Sequence, residues 1–258
     1  MAIRFDIKEM QNRIIYGIEL YDTHGNPFPD DLLQSYLNSS IAWAEQVLNI
    51  AIQPREEEEV HDYLAQDYMN WGYVKLWKKP VLEVQSLEMW YGDRPMMTIP
   101  KEWLKIDPLS GMIQMFPTSG STGGMIITAS GGMFLPILRG SIGYVPQMWK
   151  VKYTAGMSEP STEATGQVYR KTDIHPNLKE VIYKKTAMSV MGVWGDLIIG
   201  AGIANQSIGI DGLSQAIGTT QSPMFGGASA RIKQLEEDIA AMMPGLRSYY
   251  GGIDLAVL

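Results

Sequence analysis

Apolar residues repeat at helical spacing near both ends of this chain and at strand spacing through its middle. That change of period constrains the fold more than any other feature. From Asp30 onward, Leu33, Leu37, Ile41, Ala44, Leu48 and Ala51 recur in steps of three and four. The spacing predicts an amphipathic helix over 30–52. His24-Gly25-Asn26-Pro27 supplies turn chemistry before it, Asp30 an N-cap, and Pro54 a stop. Val60, Leu64 and Trp71 predict a second helix over 56–71, with Glu56, Glu57, Glu58 and Glu59 in a first turn where acids favour the helix dipole.

After Gly72 the period becomes two. Tyr73 to Trp77 alternates, and Val81 to Tyr91 reads VLEVQSLEMWY. A turn at Gly92-Asp93 follows, then short apolar runs at Met97–Ile99, Trp103–Ile106, Met112–Phe116, Met133–Ile137 and Trp149–Tyr153. Pro, Gly and Ser between them read as turns, so 73–172 is an antiparallel β-domain. Helical spacing returns after Asp173-Ile174-His175-Pro176. Pro176 suits a first helical turn, His175 beside Asp173 reads as a capping element, and the helix is expected over 176–199. A glycine-rich stretch reaches Gly227, and a last helix spans Ala228 to Met243, ended by Pro244-Gly245. The expected fold is α+β. A helical bundle (30–52, 56–71, 176–199) carries an inserted antiparallel β-domain and an extended C-terminal arm ending in a helix. The expected divisions are 1–72, 73–172, 173–204 and 205–258, the last an interface-forming arm.

Composition excludes several chemistries. The 258 residues include no Cys, so disulfides, thiolate nucleophiles and cysteine-held metals are out. The three histidines, His24, His61 and His175, have no metal-ligand spacing. Net charge is −7, and the first 70 residues alone carry −9. No basic patch for nucleic-acid phosphate stands out. Charged residues are only 19% of the chain beside 17 Met and 7 Trp, which points to surface covered by partners. No run of about 18 apolar residues suits a membrane span. The start MAIRFDIKEM has no apolar signal core, so a soluble protein made in a cytoplasm is expected.

Two glycine-rich motifs suggest nucleotides and fail on context. Thr118 to Gly124 resembles the phosphate loop of acyl-adenylate-forming enzymes, but Met125-Ile126-Ile127 stands where Pro-Lys-Gly should continue it. Gly200-Ala201-Gly202 resembles a dinucleotide fingerprint, but a helix precedes it and Asn205 replaces the third glycine. With no catalytic constellation, the expectation is a protein that is not an enzyme and has no cofactor and no metal.

The order of several short pieces carries more. The helix Asp31–Ile50 is followed by Leu76-Trp77-Lys78-Lys79-Pro80-Val81 and a hairpin turning at Tyr91-Gly92-Asp93. Trp103 to Asp107, Gly111 to Met115, Val151-Lys152-Tyr153-Thr154-Ala155-Gly156 and His175 to Ile182 come after. This succession resembles the head–tail connector (adaptor) proteins of tailed bacteriophages. The likeness covers about residues 30 to 200, and the tail resembles C-terminal extensions of myophage-type neck proteins. It implies a virion neck protein: a homo-oligomeric ring, usually of twelve copies, beneath the portal, joining capsid to tail and letting double-stranded DNA pass. The implied partners are further copies of the chain, the portal protein, and tail-terminator, sheath or other neck proteins, with no membrane. Assembly in the bacterial host cytoplasm is implied too.

Within that picture Glu56, Glu57, Glu58 and Glu59 are candidates to line the DNA channel by repulsion. Ile208, Ile210, Leu213, Ile217, Tyr249 and Tyr250 are candidates for an inter-subunit arm that adds a strand to a neighbour's sheet edge. Two alternatives stand beside it. One is another tail, baseplate or tail-terminator component. The other is a small-ligand or carbohydrate-binding β-module with the Trp and Tyr residues of 71–103 as a stacking platform.

Overall fold

A computed structural model describes residues 3–64, 73–115, 143–163, 166–168, 170–199, 205–210, 213–218 and 228–251. Helices and antiparallel sheets make up an α+β fold. The chain divides into two compact units. One is Met1–Ile3, Asn49–Ile174 and Tyr250–Leu258, and the other is Arg4–Leu48 and His175–Tyr249.

The second unit is helical. It holds α1 (Ile7–Ile14), α2 (Asp30–Leu48), α3 (Pro176–Ile199) and most of α4 (Ser229–Gly251). In α2 the buried residues are Leu33, Leu37, Ser40, Ala44 and Leu48, the expected stripe with Ser40 in place of Ile41. The helix stops four residues early. Asn49 takes φ of 52°, a left-handed conformation that Asn tolerates, and Ile50 to Ile52 continue outside any helix. α3 is buried over more than one face, through Leu178, Val181, Ile182, Tyr183, Thr186, Ala187, Val190 and Met191. It starts where Pro176 predicted, with the His175 carbonyl accepting from Leu178 and Lys179 and its Nδ1 accepting from the Asn177 N–H at 3.2 Å. His175 is the capping residue. Asp173 instead accepts from the Ser158 hydroxyl at 2.6 Å and the Arg170 N–H at 2.7 Å.

Polar side chains tie these helices together. The Tyr183 hydroxyl donates to Glu9 at 2.9 Å and accepts from the Asp6 N–H. Arg13 bridges Glu9 and Glu180, and Lys184 pairs with Asp238 at 2.7 Å. α4 runs through Pro244, where a stop was expected. A proline there frees the carbonyl of Ala240, but both residues face solvent, so water can satisfy it. The turn beyond then buries Leu246 and Tyr250. Between α3 and α4, β10 (Asn205–Ile210) and β11 (Leu213–Gly218) pair antiparallel. This part of the arm is a hairpin folded on itself. No described helix is long and apolar enough to cross a membrane.

The first unit is built on two antiparallel sheets. One has the order β1 (Arg55–Leu64), β7 (Tyr144–Ala155), β3 (Val81–Tyr91), β4 (Arg94–Thr98). The other has the order β2 (Tyr73–Lys75), β6 (Met112–Met115), β5 (Leu104–Asp107). Val84, Leu87, Met89, Val151 and Tyr153 from the first share one core with Val74, Ile113 and Met115 from the second. A short pair, β8 (Ser161–Glu163) and β9 (Gly166–Val168), follows. The expected strands and the Gly92-Asp93 turn are present, with Gly92 at φ of 58°. Met133–Ile137 and Thr118–Gly124 lie outside the described residues.

The helix expected over 56–71 is a correction. Residues 55–64 are strand β1, and 65–72 lie outside the described residues. Glu57, Glu59, His61 and Tyr63 alternate toward the buried side, while Val60 and Leu64 are exposed. The apolar pair that suggested a helix face is therefore on the solvent side. Pairing with β7, where Lys150 and Lys152 meet Glu58, overrides the helical preference of a glutamate run.

Candidate functional site

The resemblance-bearing pieces converge in the first unit. The Ala51 N–H donates to the Lys79 carbonyl, and the Gly156 N–H donates to the Pro80 carbonyl at 2.8 Å. The Met157 N–H reaches the Ile52 carbonyl at 3.0 Å, and the Val81 N–H reaches Pro108 at 2.8 Å. The Leu76 N–H donates to the Gly111 carbonyl at 2.9 Å, and at Gly111, with φ of 71°, an added Cβ would lie 3.3 Å from the Leu76 carbonyl oxygen. So the stretches around Leu76–Val81, Asp107–Gly111 and Val151–Gly156 are stitched into one corner with the exit from α2.

At that corner sits a buried carboxylate. Glu59 on β1 is 5% exposed. It accepts from the Tyr153 hydroxyl on β7, from the Trp77 N–H at 2.9 Å and from the Lys78 N–H at 3.2 Å. His61 Nε2 donates to it at 2.8 Å. The Tyr153 hydroxyl also accepts from the Lys78 N–H at 3.2 Å, and the His61 ring packs on the exposed Trp77 at 4.9 Å. Burial pushes the Glu59 carboxyl up, but the donors from His61, Tyr153, Trp77 and Lys78 outweigh it and hold it below its ordinary value. Burial, then the neighbouring Glu59, pushes the Tyr153 hydroxyl far up. Each of these groups holds a neighbour in place. The cluster is an anchor that fixes the 76–80 loop on the sheet. Tyr153→Phe removes one donor from the buried carboxylate, and a urea melt is expected to show a loss of about 1–3 kcal/mol.

The four glutamates do not form one surface. Glu59 is buried, Glu57 is half-buried and paired with Arg55 at 2.8 Å, and Glu56 and Glu58 share the exposed face of β1. Glu58 meets Lys150 at 2.7 Å and Lys152 at 3.6 Å, and the Lys150 hydrogen bond draws its carboxyl below the ordinary value. Lys150 also lies over the Trp90 ring at 5.1 Å. Much of the acidic charge on this face is thus locally compensated.

Of the arm candidates, Ile208, Ile210, Leu213 and Ile217 lie in the β10–β11 hairpin. Tyr249 is 39% exposed and packs on His175 at 5.1 Å. Tyr250 is a correction: it is buried, with its hydroxyl on Met157 Sδ at 3.7 Å, and so is core rather than contact surface. Sequence reasoning missed Glu59 as an internal anchor. The signal was the i, i+2 alternation of Glu57, Glu59, His61 and Tyr63, hidden because its inward residues are mostly polar.

Of the aromatic residues of 71–103 offered as a platform, Trp71 lies outside the described residues, and Trp77, Trp90 and Trp103 serve separate neighbours. Trp77 packs on His61, Trp90 carries Lys150, and Trp103 packs against the core. A groove of about 470 Å³ is lined by Tyr91, Gly92, Asp93, Tyr144, Val145, Pro146 and Gln147. Asp62 stiffens its edge by accepting from the Tyr144 hydroxyl at 3.0 Å and the Gln147 N–H at 2.8 Å. Among the described residues no group of three His, Cys, Asp or Glu could hold a metal ion. The dinucleotide-like Gly200–Gly202 lies outside the described residues, between helix α3 and strand β10.

No family model and no curated protein matches this chain. Among solved structures it is similar to a chain in the virion of a native gene transfer agent particle. That likeness has a TM-score of 0.40 and 14% identity over 71% of this chain and 76% of the other. It is also similar to a chain in the neck of an empty gene transfer agent particle computed with C6 symmetry (TM-score 0.39, 14% identity, 90% of this chain and 88% of the other). A third is a chain in the neck of a native particle computed with C12 symmetry (TM-score 0.39, 14% identity, 91% of this chain and 94% of the other).

Proposed function

We propose that this chain is a non-enzymatic structural subunit of the neck of a tailed-phage-like particle, a head–tail connector that forms a ring beneath the portal. The observation that carries the reading is the convergence just described. Short motifs spread over about residues 76 to 156 resemble the connector pattern in order, and the fold stitches them into one corner. That corner is built to hold shape: its carboxylate, phenol and imidazole are spent on one another and on backbone N–H groups. Within this reading Glu56, exposed on β1, is the acid left to face passing DNA, since Glu58 on the same face is paired with Lys150 and Lys152. Exposed Tyr16, Tyr21, Val193 and Leu197 on the helical unit fit a surface that neighbours cover.

The test is native mass spectrometry and electron microscopy of the full chain, alone and with the portal protein of its own particle. A twelvefold ring docked on the portal is the expected result. A sixfold ring that ignores the portal would favour a baseplate or tail-terminator role. A monomer that ignores the portal and binds a small sugar saturably would overturn the structural reading.

A further inference from the structure

The end of α3 carries a carboxylate oxygen that no donor satisfies. Asp196 Oδ1 is shut away from solvent and has no hydrogen-bond partner among the described residues. A buried acceptor left without a donor costs free energy, and a charged one costs more than a neutral one. The surface beside it is apolar. Residues three and four apart on a helix are neighbours, so Val193, Asp196 and Leu197 share one patch. Val193 and Leu197 are exposed. The Trp194 ring N–H donates to the Glu19 carbonyl at 3.2 Å, which brings a second segment of the same helical unit alongside. Tyr16, three residues before Glu19, is 83% exposed, and Tyr21, two residues after it, is exposed as well.

The charges here have one sign. Between Ser189 and Ile199 the only charged residue is Asp196, and between Ile14 and Pro29 there are Glu19 and Asp22 but no Lys or Arg. Asp22 is spent on its own turn, where it accepts from the His24 and Asn26 N–H groups. Elsewhere on this unit acids meet bases: Arg13 pairs with Glu9 and Glu180, and Lys184 with Asp238. No such pair forms at Glu19 or Asp196 among the described residues.

We propose that this face docks a basic segment of another protein, which sets an arginine against Asp196 and apolar side chains over Val193 and Leu197. Arginine suits the place better than lysine, because its planar guanidinium is less strongly hydrated and also stacks on aromatic rings such as Tyr16 and Tyr21. A second copy of this chain is the poorer occupant. It carries net −7, with −9 in the first 70 residues, which hold Tyr16, Glu19 and Tyr21, so it brings like charge to an acidic face. That the segment belongs to a neighbour in the particle rests on the function proposed above; the docking face does not.

The test places the photo-crosslinking residue p-benzoylphenylalanine at Val193 or at Leu197 of the full chain, in cells producing the particle, and sequences the captured peptide. A peptide of another protein with an arginine beside apolar residues is expected. Asp196→Ala should cut the captured yield about tenfold through loss of the charged contact. The urea midpoint of the isolated Asp196→Ala chain should hold or rise, because Oδ1 has no donor to lose. An acid with a structural role would lower it. Asp196→Arg combined with an aspartate at the captured arginine should restore the yield. A captured peptide without arginine, a peptide from a second copy, or a yield that Asp196→Ala leaves unchanged overturns the proposal. Capture of an arginine segment from a protein outside the particle supports the docking face and overturns the neck reading. Particles that hold the chain at its ordinary level with no capture overturn the docking face and leave the neck reading intact.

Discussion

Gly156→Ala should cost the β-unit about 3 kcal/mol or more, enough to unfold a marginal domain. Gly156 sits at φ of 135°, where a side chain is strained whatever the space around it. Space is also absent: an added Cβ would lie 2.6 Å from Pro54 Cα, 2.8 Å from Pro54 N and 3.0 Å from the Gln53 carbonyl carbon. All three are backbone atoms, so no side chain can swing aside. Relief would require moving the 49–54 segment, which is tied to Lys79 through Ala51 and to Met157 through Ile52. The control is Gly92→Ala. Gly92 also has positive φ, 58°, but nothing lies within 4 Å of an added Cβ, so only the backbone strain of about 1–2 kcal/mol applies. Urea melts followed by tryptophan fluorescence compare the two. Equal losses would show that the Pro54 contact contributes nothing.

Glu59→Ala should lose about 3–5 kcal/mol, since it strips a buried anchor from its donors. The Trp77 N–H, the Lys78 N–H, His61 and the Tyr153 hydroxyl would all lose a partner at once. Tyr153→Phe removes only one donor and costs less, so the ratio of the two losses reports how far the carboxylate acts as a hub. The pH dependence follows from the direction of the Glu59 shift. Its carboxyl titrates lower in the folded chain than in the unfolded one. Its contribution is therefore fully present above the ordinary carboxylate value of about 4.3 and is lost as pH falls through the lower, folded value. Wild-type stability should fall on acidification across that window. Glu59→Gln, which has no proton to take up, should lack that component of the slope. Parallel slopes for the two proteins would show that Glu59 does not titrate as the buried anchor described.

Much of the architecture was legible because its signals are local. The α2 stripe, the Gly92-Asp93 turn, the long β3 and the Pro176 start of α3 each depend on residues within a turn or two of one another. Two readings failed for a shared reason. The glutamate run at 56–59 has good helix formers and a spaced Val60 and Leu64, yet it is strand because β7 brings Lys150 and Lys152 alongside. Pro244 is a local stop signal, yet α4 continues because the freed carbonyl faces water and the next turn buries Leu246 and Tyr250. In both places a partner distant in sequence outweighed a local preference of about 1–3 kcal/mol. The candidate site was legible as motifs, but Glu59 was not, because a buried acid looks in sequence like any solvated one.

The sequence alone determined the α+β class, the course of α2 and α3, the strands from 73 to 115, the absence of cysteine chemistry and the succession of motifs. Those follow from composition and from periods of two and three to four, which act along the chain. The tertiary structure alone decided which glutamate is buried, which of the paired tyrosines at 249 and 250 is core, and where α2 and α4 end. It also decided that Gly156 must lie against Pro54, and that the four apolar arm residues share one face of a hairpin. Burial and register are set by what lies opposite in space. For β1 that is a strand nearly ninety residues away along the chain, beyond the reach of any local pattern.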